Sequence, residues 1–80
     1  MMHPTINPFA LTTVRQYRGY TQSKLCKIIN GLSQPNLSKF EKGCLGALSI
    51  SKLQEIMEFF EWPFDFLYKD IKPIKHLGHE

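Results

Sequence analysis

Gln34, Asn36 and Lys39 stand in one short polar stretch in which Leu37 and Phe40 are the apolar residues. Wound into a helix, this stretch buries Leu37 and Phe40 and turns two amides and an ammonium outward. An amide donates and accepts at once, whereas an ammonium only donates. Such a set can read a surface that alternates donors and acceptors. The edges of base pairs in the major groove of B-DNA, about 12 Å wide and open to a helix, are such a surface. Gln and Asn suit an adenine edge and Lys a guanine, and a good bidentate pair is worth about 1–3 kcal/mol of discrimination. Gln34 is the first candidate reader, Lys39 the second, and Asn36 meets either a base or a phosphate.

Other chemistries lack their residues. Acid–base or nucleophilic catalysis needs converging groups, and residues 1–40 contain no carboxylate. No enzyme is expected. Cys26 and Cys44 lie eighteen positions apart with no second Cys beside either, and His3, His76 and His79 fall in the terminal segments. That arrangement supplies no four-ligand metal set, so neither metal nor cofactor is expected. Both cysteines read as small buried residues.

Eighty residues allow one domain, and a domain of this size buries only ~60% of its unfolded surface. The chain is 42% hydrophobic with six Phe, three Tyr and one Trp, too apolar for a disordered segment. No apolar run approaches the ~20 residues that span a bilayer, and no basic-then-apolar leader opens the sequence. A soluble, cytoplasmic protein that does not engage a membrane is expected. The net charge of +3 is unevenly placed. Residues 1–40 carry five basic side chains and no acid, hence +5, while residues 41–80 carry five basic against seven acidic, hence −2. The basic half suits a polyanion, and the acidic, aromatic half suits a protein partner.

The elements that must position these groups follow from the punctuation. Asn7-Pro8 joins a favoured N-cap to a favoured first helical residue, and Gly19 closes the first helix at about residues 8–18. Thr21 caps a second helix whose apolar stripe is Leu25, Ile28 and Ile29, ended by Asn30-Gly31. Ser33 caps a third, about 34–42, with Pro35 tolerated in the first turn and Gly43 at its end. After a loop from Cys44 to Leu48, a fourth carries Ile50, Leu53, Ile56, Met57 and Phe60 inward. Its N-cap is either Ser49 or Ser51. Pro63 precedes a short fifth helix from Phe64 to Lys69, with Leu67 inward. No stretch alternates with period two, so no sheet is expected. The reading is an arm over 1–7, a compact all-α domain over 8–70, and a loosely held, flexible tail over 71–80.

Five short helices with a tight connection between the second and third suggest the organisation of a compact helical DNA-binding domain. Thr21-Gln22, then Ser33-Gln34-Pro35-Asn36-Leu37-Ser38-Lys39-Phe40-Glu41-Lys42-Gly43, resemble the Xre/Cro-type helix-turn-helix family of phage and bacterial repressors over about residues 9–68. Ser49-Ile50 to Leu53, followed by Trp62-Pro63-Phe64-Asp65-Phe66-Leu67-Tyr68, is similar to the variety attached to, or encoded beside, ImmA/IrrE-type metallopeptidases. The resemblance implies a five-helix, lambda-repressor-like domain that binds double-stranded DNA as a homodimer. It implies a bacterial or phage regulator, a repressor above all. It makes Gln34 the main base reader, and it places Gln22 both on the DNA backbone and beside Gln34. Arg15 and Glu41 match positions that form a partly buried ion pair between the first helix and the end of the third.

Thr21, Gln22 and Ser23 stand at a helix start, where free N–H groups can hold a phosphate. Lys24, Lys42 and Arg18 are further phosphate candidates, which position without specifying sequence. Three departures from the family pattern stand out. Thr21 to Ser33 is twelve steps, one more than usual, so the Asn30-Gly31-Leu32 turn carries an extra residue. Pro35 has no donor and reads at most a thymine methyl. Cys26 takes a place usually held by Ala.

Phe59-Phe60, Trp62, Phe64, Phe66 and Tyr68 put six rings in ten residues. Phe60 and Phe64 suit the inward stripe, leaving Phe59, Trp62, Phe66 and Tyr68 for a subunit or partner surface, or for wrapping the fifth helix onto the fourth. The competing functional reading is an antitoxin or anti-repressor that works through this surface on a toxin or a peptidase.

Overall fold

The computed structural model describes residues 5–71. Among them are four α-helices, α1 (Pro8–Tyr17), α2 (Gln22–Ile28), α3 (Gln34–Glu41) and α4 (Ile50–Phe60), and no strand. Short 3-10 helices occupy Leu45–Ala47 and Phe64–Tyr68. The chain is therefore all-helical, but the expected fifth α-helix is a 3-10 helix of five residues. Pro63 contributes no donor at its start, and Lys69 is already extended at ψ 143°. A segment so short closes i to i+3 bonds instead. Likewise the loop expected from Cys44 to Leu48 contains one 3-10 turn, with Ala47 N donating to Cys44 O.

All four α-helices begin on a side-chain cap. Asn7, Thr21, Ser33 and Ser49 accept from the backbone N–H of Phe9, Lys24, Asn36 and Lys52, each cap worth about 1 kcal/mol. Of the two serines open to α4, the chain uses Ser49, and Ser51 lies inside the helix. Three helices end alike: Tyr20 N donates to Arg15 O, Cys44 N to Lys39 O and Trp62 N to Met57 O. In the third of these ends the left-handed position is filled by Glu61, at φ 55°.

α2 stops at Ile28, short of Asn30-Gly31, because Ile29 is extended at φ −86° and ψ 112°. That break turns Ile29 into the core and leaves Ile28 exposed, contrary to the expected stripe. Ile50, also expected inside, is 51% exposed because it opens α4 a full turn before Leu53. The core is built from Ala10, Leu11 and Val14 of α1, Leu25 of α2, Leu37 and Phe40 of α3, and Leu53, Ile56, Met57 and Phe60 of α4. Ile29, Leu32, Leu48 and Leu67 complete it from the connections. Each such Leu, Ile or Phe contributes about 1.5–3 kcal/mol by leaving water. α1 packs on α3 and on the C-terminal 3-10 helix, α2 on α3, and α4 on the C-terminal 3-10 helix.

Asn7 fastens the two ends of the domain. Its N–H donates to Leu67 O at 2.7 Å, and Nδ2 donates to Lys69 O and Ile71 O at 2.8 and 2.9 Å. Ile71, where the tail was expected to begin, is thus held and half-buried. His3, His76 and His79, and the tail beyond Ile71, lie outside the described residues. No helix among the described residues is long and apolar enough to cross a membrane.

Candidate nucleic-acid interface

α3 separates its residues by chemistry. Leu37 and Phe40 are fully buried, while Gln34, Pro35, Asn36 and Lys39 are exposed. Among the described residues, the side chains of Gln34, Asn36 and Lys39 have no hydrogen-bond or ion-pair partner in the fold. Pro35 sits in the first turn, where a missing N–H leaves no helical bond unmade. Lys42 is exposed at the C-cap.

The turn before α3 sets its direction. Leu32 N donates to Ile29 O at 3.2 Å, Gly31 takes φ +80°, and Leu32 and Ile29 are both buried. The turn is made by ending α2 at Ile28 and bending the chain through Asn30-Gly31, so two apolar anchors flank an exposed tip. Lys52 braces that tip from α4, its Nζ donating to Asn30 O at 2.6 Å and pairing with Glu55 at 2.8 Å. The brace was not foreseen from the sequence, because nothing local to Lys52 points to a carbonyl 22 residues away.

A second network joins the start of α2 to the end of α3. Arg15 Nε donates to Glu41 Oε2 at 2.8 Å and Nη2 to Oε1 at 2.9 Å, a two-point contact with both side chains under 10% exposed. Arg15 Nη1 donates to Tyr20 O at 2.7 Å, just before the Thr21 cap. Gln22 Nε2 donates to Glu41 Oε1 at 3.0 Å. Gln22, expected on the DNA backbone and beside Gln34, has its amide held by Glu41. Cys26 lies close enough to this network to feel it. Burial pushes its thiol above the ordinary value, the Glu41 carboxylate pushes the same way, and Arg15 opposes. Cys26 is half-buried and Cys44 exposed, so the second cysteine is not the buried residue it was read as.

Thr21, Ser23 and Lys24 are exposed around the start of α2. The Thr21 hydroxyl oxygen is used as the cap, which leaves its proton free to donate. Lys24 Nζ rests 5.0 Å from the Tyr20 ring centroid, within cation–π reach. Arg18 is exposed and also makes contacts within the fold. Its Nε donates to Phe60 O at 3.0 Å, and its guanidinium lies 4.8 Å from the Trp62 centroid and 5.8 Å from that of Tyr17.

The aromatic residues form two connected sets of three rings and one separate pair, Phe64 with Tyr68 at 6.3 Å. Tyr20 meets Phe59 and Phe60 edge-on, and Trp62 meets Tyr17 and Phe66 in the same way, with centroids 5.3–5.5 Å apart. Trp62, Phe64 and Phe66 are half-buried against the core, whereas Phe59 and Tyr68 remain exposed. The most exposed ring is Tyr17, at 73%. Sequence reasoning missed it, because Tyr17 lies on α1 and meets the C-terminal rings only through the fold. Among the described residues, no three His, Cys, Asp or Glu side chains converge as a metal site would require.

The sequence profile of the helix-turn-helix family matches residues 11–67, which include α2, the turn and α3. Comparison with curated proteins and with solved structures returns no significant match.

Proposed function

From the premise that this chain belongs to the helix-turn-helix family of DNA-binding transcription regulators, we propose that it is a sequence-specific repressor that lays α3 in the major groove of double-stranded DNA. The carrying observation is the division of α3, with Gln34, Asn36 and Lys39 exposed and without a side-chain partner among the described residues, over a buried Leu37 and Phe40. An amide or ammonium left without a partner in the fold is available to a base edge. Gln34 reads adenine, Lys39 guanine, Asn36 a base or phosphate, and Pro35 touches a thymine methyl. Gln22, Lys24, Lys42 and the hydroxyls of Thr21 and Ser23 hold the backbone and set register. Arg18, with Nε on the Phe60 carbonyl and its guanidinium beside two rings, is still exposed and is a further candidate for the backbone. Repression follows from occupancy, since a protein on an operator excludes other proteins from it.

A two-fold homodimer fits the dimensions. Half-sites one turn apart are separated by ~34 Å, and the domain measures 38 × 35 × 23 Å. Two copies on successive half-sites meet where a long axis of the domain lies along the DNA. The exposed rings of Tyr17, Phe59 and Tyr68, with Trp62 and Phe66 behind them, favour a protein contact in the same molecule. They equally suit the second reading, an antitoxin or anti-repressor acting on a protein partner.

Selection from a randomised duplex pool at near-physiological salt tests the choice, because non-specific attraction is strongly salt-dependent. The expected result is an inverted repeat with half-sites one helical turn apart. Retention without a motif, or no retention, overturns the repressor reading and leaves the partner-binding one.

A further inference from the structure

We propose that Glu41 is a positioning residue for DNA binding, acting through Gln22. The inference rests on the DNA-reading role given to α2 and α3 above, and adds a residue that touches no DNA itself.

Glu41 stands at the end of α3 and Gln22 at the start of α2, nineteen residues apart. A carboxylate only accepts, so the half of the Gln22 amide that faces it is the NH2 group. One N–H of Gln22 is thereby committed to Glu41 Oε1 at 3.0 Å, and the orientation of the remaining N–H and of Oε1 is set. Glu41 is itself immobilised. Arg15 grips both of its oxygens at 2.8 and 2.9 Å, and the same guanidinium holds Tyr20 O at 2.7 Å, one residue before the cap of α2. Oε1 thus accepts from both Arg15 and Gln22, which ties α1, the start of α2 and the end of α3 through one buried atom.

A free glutamine side chain samples many rotamers and loses them on binding. Here that loss occurs on folding, so the amide meets the DNA backbone already oriented. The ion pair consequently does more than join helices. Glu41 decides which end of the Gln22 amide faces outward, an orientation that a neutral or flexible neighbour would leave to chance.

A double-mutant cycle on the selected operator separates this role from general stability. Gln22→Ala, Glu41→Gln and the double variant are compared at a temperature where circular dichroism shows each folded. In an otherwise native protein Glu41→Gln should weaken DNA binding roughly tenfold, and in the Gln22→Ala background by less than about twofold, as coupled residues behave. Fold-changes that multiply would overturn the proposal, because Glu41 would then act without Gln22. Gln22→Asn leaves the Arg15–Glu41 pair intact and keeps the fold if Glu41→Gln does not. Its amide is one methylene short of reaching both carboxylate and DNA, so binding should fall as far as in Gln22→Ala, and native affinity in Gln22→Asn would equally overturn the proposal. Absence of any duplex binding by the native protein would overturn the DNA reading and this inference together, a result distinct from multiplicative effects in proteins that bind.

Discussion

Lys52 Nζ lies 2.6 Å from the carbonyl oxygen of Asn30, so an ammonium on α4 holds the tip of the turn between α2 and α3. This contact fixes the carbonyl at the tip of the turn. The tip is exposed and Gly31 is in a left-handed conformation, which no apolar contact stabilises. A charged donor on its carbonyl does.

Two substitutions test this brace. Lys52→Met removes the donor but keeps the stem, and should cost about 1 kcal/mol in urea denaturation. The amide of Leu32 should exchange faster with solvent. Gly31→Ala places a Cβ 3.3 Å from Lys52 Nζ and forces a side chain to φ +80°, a combination that should cost about 1–2 kcal/mol. Unchanged denaturation midpoints in both would show that the turn is held by Ile29 and Leu32 alone.

The buried ion pair makes a larger demand. Arg15→Ala leaves Glu41 charged, under 10% exposed in the native fold, and with Gln22 as its remaining donor among the described residues. Removing one partner of such a pair costs about 3–5 kcal/mol, against a total of roughly 4–12 kcal/mol for a chain of this length. The variant should be largely unfolded by circular dichroism at 37 °C. A melting temperature within a few degrees of the native protein's would show that water reaches Glu41 freely.

Much of this arrangement was legible beforehand, and the limits were physical. Three helix starts were readable because a cap is a local event: Asn7, Thr21 and Ser33 each bond to an N–H two or three residues on, whereas two serines suited the start of α4 and the fold uses Ser49. The all-helical class and the outward set on α3 follow from periodicity. The end of α2 was not readable, because the choice between continuing the helix and burying Ile29 is made by the core. Long-range polar contacts other than Arg15 with Glu41, which the resemblance implied, were hidden for the same reason. Gln22 to Glu41, Lys52 to Asn30 and Arg18 to Phe60 join residues 19, 22 and 42 positions apart. The place of Arg18 among rings depends on Tyr17 and Trp62 meeting, which no spacing in the chain announces.

Glu61 gives a prediction in the opposite direction. It closes α4 at φ 55° and ψ 51°, where a side chain costs about 1–2 kcal/mol relative to ordinary helical backbone and glycine costs little. Glu61→Gly should therefore stabilise the domain by about 0.5–1 kcal/mol and raise the melting temperature by roughly 2–8 °C. A lower melting temperature would mean that the Glu61 side chain holds a contact in solution that outweighs its backbone strain.

The two thiols should differ in reactivity and in their effect on stability. Burial first, and the Glu41 carboxylate second, keep Cys26 protonated beyond its ordinary value, and a thiol is a poor nucleophile. Cys44 is exposed and should be alkylated first by iodoacetamide at pH 8, with mass spectrometry reading the order. The sign for stability follows from the raised value. The folded state retains the Cys26 proton where the unfolded chain has lost it, so this contribution is complete below about pH 8.5 and declines as pH rises through the higher folded value. Cys26→Ala should flatten that alkaline decline. Equal alkylation rates, or an unchanged decline in Cys26→Ala, would show that Cys26 is open to solvent.

Gln34 and Lys24 separate reading from holding on the DNA itself. Gln34 is exposed on α3 with no partner in the fold, whereas Lys24 stands on α2 with its ammonium over Tyr20. If Gln34 makes a bidentate contact with adenine, Gln34→Ala should lose about 1–3 kcal/mol on the selected operator and little on a duplex altered at that base pair. Preference at that position should flatten. Lys24→Ala should weaken both duplexes equally and reduce the slope of log affinity against log salt by about 1, because one fewer phosphate is neutralised. Competition binding with operator variants at several salt concentrations measures both effects. Loss of affinity without loss of preference in Gln34→Ala would remove the base-reading role from Gln34 and move it along α3, to Asn36 or Lys39.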